Sequence, residues 1–461
     1  MSIIRPMKAA VGIAALSLGL SLGALVVALA LSLATPLRAA ELDVSAALGQ
    51  SVMPAAGGKI YLRLSLKAAA GKPRESRTPV NVALVLDRSG SMQGPRIAAA
   101  KEAAEMALSR LGPTDWVSLI AYNHNVDVLA PATRATTHSD LQSAIAGLTA
   151  NGNTGLYAGV VEGGREVGKN RSDRVINRVI LMSDGLANVG PSTPGELADL
   201  GRKLGGEGIS VTTIGLGLGY NEDLMQRLAA SSDGNHAFAE KPEDLVKIFN
   251  AEFGDALSIS AQDIEVIIEC EKGFRPLRVL GREADIAGNR IEFGMGALPS
   301  SIERYVVIEI DADAVAGAAS RTVARIDVRY RDLDSGTLRD ATTTAAVRFS
   351  ADAAEQEASL DADVMSKVAV QVSTENSERA VEFRDRGDVA GAKKALEDNA
   401  EFLKGIGSSY GGRVGVGMAL TLKQLESKNA AAARNLDSES WGRTRKELRY
   451  DQHKAKRQQS Y

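Results

Sequence analysis

The residues best suited to chemistry lie in one short stretch, Asp87-Arg88-Ser89-Gly90-Ser91-Met92. It follows the apolar run Val82-Ala83-Leu84-Val85-Leu86 and precedes an Ala-rich, helix-prone segment that begins near Pro95. A buried strand should therefore hand over to a helix here, a frequent address for ligands in open α/β sheets. One carboxylate and two hydroxyls at alternate positions can turn their oxygens toward a common point, which is the donor chemistry of a hard divalent cation. A plainer reading also fits the hexapeptide alone, with Asp87 and Ser89 capping the next helix and Gly90 supplying the turn.

Two later loops carry matching chemistry. Gly152-Asn153-Thr154-Gly155 precedes a helix, and Ser183-Asp184-Gly185 follows the strand Val179 to Met182. Asp87, Ser89, Ser91, Thr154 and Asp184 would then supply two carboxylates and three hydroxyls from one edge of one sheet. Taken singly, Thr154 reads as a helix cap and Asp184 as a turn residue; their coincidence with the first loop favours a shared metal site. The residues Asn123, His124, Asn125 and Tyr220 fall in loops on the same expected edge, as solvated groups or as contacts for a partner.

Other signatures weigh less. Gly215-Leu216-Gly217-Leu218-Gly219 follows a strand but lacks the spacing of a dinucleotide loop, and the chain contains no phosphate-loop motif. The histidines His124, His138, His236 and His453 are scattered, and neither Ser89 nor Ser91 sits in a nucleophile elbow. Position 89 is Ser, so the Asp-x-Asp pair of a haloacid-dehalogenase-type phosphatase is missing.

These loops need a sheet to hold them. Between Val80 and Phe253, strands at Val82–Leu86, Trp116–Tyr122, Val126–Leu129, Val179–Met182 and Val211–Ile214 alternate with helical patterns. Short apolar runs separated by helices predict a doubly wound, mostly parallel α/β sheet covered on both faces. Period-two runs at Tyr61 and from Ile264 to Phe349 predict a flanking β-sandwich, into which the α/β domain is inserted or beside which it lies. A C-terminal helical region follows, with a hairpin junction at Arg386-Gly387-Asp388. The expected division is 1–40 as signal peptide or membrane anchor, 41–78 plus 258–350 as β-sandwich, 79–257 as the α/β domain, 361–440 as helical hairpin or bundle, and 441–461 as a basic tail.

Composition narrows the class. The chain has 461 residues, a formal net charge of -3 and only 4% aromatic residues, so its cores are aliphatic and nucleic acid is not an expected partner. Its single cysteine, Cys270, forbids an intrachain disulfide and reads as a small buried apolar group. Arg5 and Lys8 precede an uncharged stretch from Ala9 to Leu37 and then Arg38-Ala39-Ala40-Glu41, the order of an export signal. The stretch is also long enough to span a bilayer. Export is therefore expected, with the protein periplasmic, on the cell surface or held by that segment. Membrane contact is expected only there, or through the tail with Arg443, Arg445, Lys446, Arg449, Lys454, Lys456 and Arg457, which otherwise reads as solvated.

The hexapeptide, with Thr154 and Asp184 on later loops, resembles the metal-ion-dependent adhesion site (MIDAS) of bacterial von Willebrand factor type A (VWA) domain proteins. All five positions conform, over 79–257. The resemblance implies that Ser89, Ser91 and Thr154 are direct or near-direct ligands and that Asp87 and Asp184 act through water, while Asn188 matches an Asp-Gly-x-x-Asn form of bacterial members. Mg²⁺ is the expected ion, with Mn²⁺ or Ca²⁺ as alternatives, since hard oxygen ligands discriminate weakly. The implied function is non-enzymatic adhesion or scaffolding, in which a partner protein's Asp or Glu carboxylate completes the metal shell. The alternative is a metal-dependent hydrolase or phosphatase, with Asp87 as nucleophile or Asp87 and Asp184 as metal ligands.

Overall fold

Continuous apolar runs such as Val82–Leu86 have no solvent-facing side, and the architecture covers them twice. The computed structural model describes residues 42–68, 78–136, 139–300, 302–316 and 319–458; the expected export segment lies outside these. In chain order, β1 (Leu42–Leu48), β2 (Val52–Pro54) and β3 (Gly58–Ala68) come first. The α/β unit follows as β4 (Val80–Asp87), α1 (Pro95–Ser109), β5 (Trp116–Tyr122), β6 (Val126–Arg134), α2 (Ser139–Ala146), α3 (Leu156–Gly168), β7 (Ile176–Ser183), α4 (Pro194–Gly206), β8 (Ile209–Leu216), α5 (Glu222–Ser231), β9 (His236–Ala239) and α6 (Pro242–Leu257). Next come β10 (Ile259–Cys270), β11 (Phe274–Leu280), β12 (Asp285–Ala287), β13 (Arg290–Met295), β14 (Leu298–Pro299), β15 (Glu303–Ala312), β16 (Ser320–Asp332) and β17 (Thr337–Ser350). Helices α7 (Ala353–Ala358), α8 (Ala362–Asp385), α9 (Val389–Tyr410), α10 (Val416–Ala432) and α11 (Trp441–Arg457) follow.

The central sheet has the order β6-β5-β4-β7-β8-β9. Its pairings are parallel except β5 with β6, which turn back on one another in an antiparallel edge. Along β4, Val82, Leu84 and Leu86 join one apolar cluster with α1, α2 and α6, while Ala83 and Val85 join a second with α3, α4 and α5. Successive side chains of a strand point to opposite faces, so burial on both faces is what an uninterrupted apolar strand requires. The strand order reverses beside β4, where the chain returns to β7 on its other side. This leaves a crevice at the carboxyl ends of those two strands.

The flanking body is a pair of sheets, one ordered β1-β3-β15-β11 and the other β12-β13-β10-β16-β17-β2, with β14 paired to β10. The predicted early strand near Tyr61 is β3, which pairs with β1 on one side and β15 on the other. Strands from before and after the α/β unit thus share one core, including Leu62, Leu64, Ile268, Ile308, Val328 and Phe349. The α/β unit is inserted between β3 and β10. Cys270 is buried in that core as a free thiol, and burial pushes it up to about 11.

Helix α8 lays Val364 and Val368 against Leu280 and Val307 of the first sheet. It meets α9 at Arg386-Gly387-Asp388, where Gly387 adopts φ 86° and Asp388 accepts the Gly391 N–H at 2.8 Å as an N-cap. Among the described residues no helix is long and apolar enough to cross a membrane.

The expectation of a solvated basic tail is corrected by α11. Residues Trp441–Arg457 form a helix that packs back on the α/β unit, with Lys446, Gln452 and His453 buried. The basic residues find acidic partners far away in sequence, which no local pattern reveals. Arg445 pairs with Glu222, Asp223 and Asp385, Lys446 with Glu222, Arg449 with Asp223, and Arg457 with Asp233. The Lys446 ammonium also donates to the Tyr220 carbonyl at 2.7 Å and lies 4.3 Å from the Tyr220 ring centre. Two of the scattered histidines meet here as well, for the His236 backbone N–H donates to His453 Nε2 at 3.1 Å.

Two outcomes follow for stability. Replacing Lys446 by Ala strands the buried Glu222 with only Arg445 as a charged partner and should destabilise the fold by about 3 kcal/mol in urea unfolding. Burial holds His236 down to about 3 and His453 well below its ordinary value. The folded state therefore resists protons that the unfolded chain takes up from about pH 6.5 downward. Stability from this pair is full above that pH and falls as the pH drops toward the folded values, by up to about 1.4 kcal/mol per pH unit for each histidine. His453→Gln should make the acid limb of unfolding free energy against pH shallower than in the wild type.

Candidate metal centre

The three loops picked out in the sequence meet at the crevice between β4 and β7. The first leaves β4 at Asp87 and passes through a single 3-10 turn, Gly90–Met92, before α1. The second precedes α3, and the third leaves β7 after Ser183. Backbone hydrogen bonds join the first two, with Gly90 N–H donating to the Gly152 carbonyl at 2.9 Å and Asn151 N–H to the Arg88 carbonyl at 2.8 Å. Ser89, Ser91, Thr154, Asp184, Gly185 and Asn188 all line one cleft of about 320 Å³.

Asp87 lies beneath this cleft, fully buried, with both carboxylate oxygens engaged. Oδ1 accepts the Ser89 N–H at 2.7 Å and Oδ2 accepts the Ser183 hydroxyl at 2.6 Å. Burial pushes its carboxyl up to about 6, against the opposing pull of the bonds from Ser183 and Ser89, and the neighbouring Asp184 charge raises it further. Its role is to hold the Ser89 loop and to place negative charge under it. Asp184 forms the cleft wall, where Oδ1 accepts the Ser91 hydroxyl at 2.7 Å. Ser89 Oγ and Ser91 Oγ lie 3.1 Å apart.

The convergence of the hydroxyls is measured at Gly185. A Cβ built there would fall 3.2 Å from Thr154 Oγ1, 3.3 Å from Ser91 Oγ and 3.8 Å from Ser89 Oγ. The missing side chain leaves a small cradle walled by three hydroxyl oxygens and the Asp184 carboxylate. An all-oxygen set of two carboxylates and three hydroxyls fits a hard divalent cation, and no soft ligand is among them. Among the described residues no group of three or more His, Cys, Asp or Glu could hold a metal, and three of the five oxygen donors here are hydroxyls.

All five candidate residues thus stand around one cleft. Sequence reasoning missed two others. Ser183 fixes Asp87, and Arg96 places Nη1 2.5 Å from Asp184 Oδ2. Ser183 was visible as part of Ser183-Asp184-Gly185, but Arg96 reaches the site from the start of a helix and carried no motif. Asn188 proves to act on Thr154, whose N–H it receives at 2.8 Å through Oδ1.

The expected rim residues divide. His124 and Asn125 are exposed, and His124 lies against Gly152 at the cleft edge. Asn123 is buried and donates through Nδ2 to Asn151 Oδ1 at 2.7 Å, while the Tyr220 side chain is buried under α11, so neither is a solvated contact. The run Gly215 to Gly219 has a packing explanation. A Cβ at Gly215 would overlap the Tyr220 ring at 2.2 Å, and one at Gly219 would press on the Asp184 carbonyl at 2.8 Å.

Comparison with known proteins bears on the α/β unit and on the fold. The family model described as the von Willebrand factor type A domain matches residues 81–251. The protein sll0103 of Synechocystis is 26% identical over 285 residues, covering 60% of this chain and 67% of its own. YfbK of Escherichia coli is 26% identical over 44% of this chain, and the match spans only 35% of YfbK. Among solved structures, a von Willebrand factor type A protein from Catenulispora acidiphila superposes with a TM-score of 0.68 at 16% identity, covering 86% of this chain and 90% of that one. The ArnB paralog VWA2 from Sulfolobus acidocaldarius gives 0.60 at 14% identity, covering 91% and 98%. At such identities the superpositions speak for the fold alone, including the strand-rich and helical parts beyond the matched domain. Residues 81–251, the α/β unit that carries the cleft, form a von Willebrand factor type A domain.

Proposed function

We propose that this protein is an exported, non-enzymatic adhesion or scaffold protein that grips an Asp or Glu carboxylate of a partner protein through a divalent metal at the cleft. The observation that carries the reading is the convergence of the Ser89, Ser91 and Thr154 hydroxyls with Asp184 over the buried Asp87. Ser89, Ser91 and Thr154 would hold the ion, with Asp87 and Asp184 completing its surroundings through water. Mg²⁺ suits these ligands best, and Mn²⁺ or Ca²⁺ share their preference for oxygen. A bound ion supplies a Lewis-acidic position for an external carboxylate, because three of its five protein groups are neutral. The chain's own contribution is to fix those oxygens on three mutually bonded loops and to leave the Gly185 side open to a partner.

Two features favour binding over hydrolysis. Asp87 has both oxygens hydrogen-bonded and is fully buried, which suits a loop anchor better than a nucleophile. His236 and His453 are buried against one another at α11, and neither lines the cleft. Export is supported by the order of charged, uncharged and small residues from Arg5 to Glu41.

Calorimetric titration of the purified protein with Mn²⁺ should give one site, weakened at least about tenfold by Asp87→Ala or Thr154→Ala. Gly185→Ala should also weaken it while leaving every ligand in place, because the new methyl sits 3.2 Å from Thr154 Oγ1. Equal affinity in all variants would dismiss the metal centre. Phosphate monoesters and carboxyl esters should show no metal-dependent turnover; hydrolysis that disappears in Asp87→Asn would instead establish the hydrolase.

A further inference from the structure

Both carboxylate oxygens of Asp184 are already engaged by groups of this chain. Oδ1 takes the Ser91 hydroxyl, and Oδ2 faces the Arg96 guanidinium at 2.5 Å. The same Arg96 nitrogen donates to the Ser91 carbonyl at 3.1 Å, so one cation spans two of the three site loops' neighbours, the Ser91 backbone and the Asp184 side chain. The Asp184 side chain is fully buried, whereas that of Arg96 is 39% exposed. The carboxylate is fixed in the wall, and the guanidinium lies over it from the rim. Its course is set on the other side by Gly217, at φ 70°, where a Cβ would come within 3.3 Å of Arg96 Nη2. Arg96 offers five N–H donors and no acceptor, so it can ligate no metal.

We infer that Arg96 is an internal counter-ion that competes with the divalent ion for Asp184 and thereby lowers the metal affinity of the cleft. This rests on the metal-centre reading above. Two cations are directed at one buried carboxylate. If Asp184 turns toward the ion, it gives up a charge-assisted hydrogen bond to Arg96. If it stays, a full positive charge sits beside the divalent ion in a partly desolvated cleft. Either course weakens binding, and neither depends on how the Asp184 oxygens are divided. Arg96 thus tunes the site without belonging to its donor set.

The test is Mn²⁺ titration calorimetry on the full chain, comparing wild type with Arg96→Gln and Arg96→Lys at low and high salt. Arg96→Gln removes the charge and should bind Mn²⁺ about threefold to tenfold tighter. Arg96→Lys keeps the charge without the planar fork and should stay near wild type. The gap between wild type and Arg96→Gln should narrow as salt rises, because the rim charge is partly open to screening. Wild-type binding with no gain, or with a loss, in Arg96→Gln overturns this inference alone and makes Arg96 a support for Asp184. Failure of all three proteins to bind Mn²⁺ overturns the metal centre itself. Tighter binding that is retained equally in Arg96→Lys also overturns the inference, since charge would then not be the cause.

Discussion

The rest of the molecule depends on one constraint, the burial of β4 on both faces. A strand that reads Val80-Asn81-Val82-Ala83-Leu84-Val85-Leu86-Asp87 is stable only inside a covered sheet. Covering it requires helices on each side, and right-handed strand–helix–strand connections then place its neighbours β5 and β7 on opposite flanks. The last residue of such a strand emerges at the reversal of strand order. Asp87 is that residue, and its burial follows from its place rather than from any property of an aspartate.

The site is built around the consequences of that burial. A carboxylate taken out of water needs compensation, and Asp87 receives it from a backbone N–H and a serine hydroxyl, which at the same time lock two loops together. Its carboxyl nevertheless stays raised, at about 6, because desolvation outweighs those bonds. Asp184 is compensated differently, by a neutral hydroxyl on one oxygen and a guanidinium on the other. Two acidic groups a few residues from one another in space are thus held by unlike means. The hydroxyls of Ser89, Ser91 and Thr154 occupy the ground between them.

The bodies outside the α/β unit are held to it by long-range contacts. The sandwich is closed only by strands from both sides of the inserted unit, with β3 from before it paired to β15 from after it. Helix α11 returns to the first turn of α5, where Arg445 and Lys446 meet Glu222 and Asp223, near the N-terminal end at which acidic side chains are already favoured. Lys446 also grips Tyr220, whose neighbour Gly219 runs so close to Asp184 that a Cβ there would fall 2.8 Å from the Asp184 carbonyl oxygen. The helical region and the cleft therefore share one loop, Gly217 to Tyr220.

Much of this was legible in the sequence, for identifiable reasons. Period-two and uninterrupted apolar runs respond to local burial, so β3, β4, β7 and β8 and the alternation with helices could be read directly. Oxygen-bearing residues at strand ends fall at the ligand edge of such a sheet whatever the details, which brought Asp87, Ser89, Ser91, Thr154 and Asp184 together in advance. The strand at Val126 was legible but its antiparallel direction was not, and the four-residue β9 carried too short a pattern to register. The tertiary structure alone decided the fate of the basic segment at Trp441–Arg457, because its acidic partners lie far off in sequence, Glu222, Asp223 and Asp233 by more than two hundred residues and Asp385 by sixty. It alone brought Arg96 onto Asp184 as well. Local sequence encodes what a segment must hide; which distant charge it will meet is settled only when the layers pack.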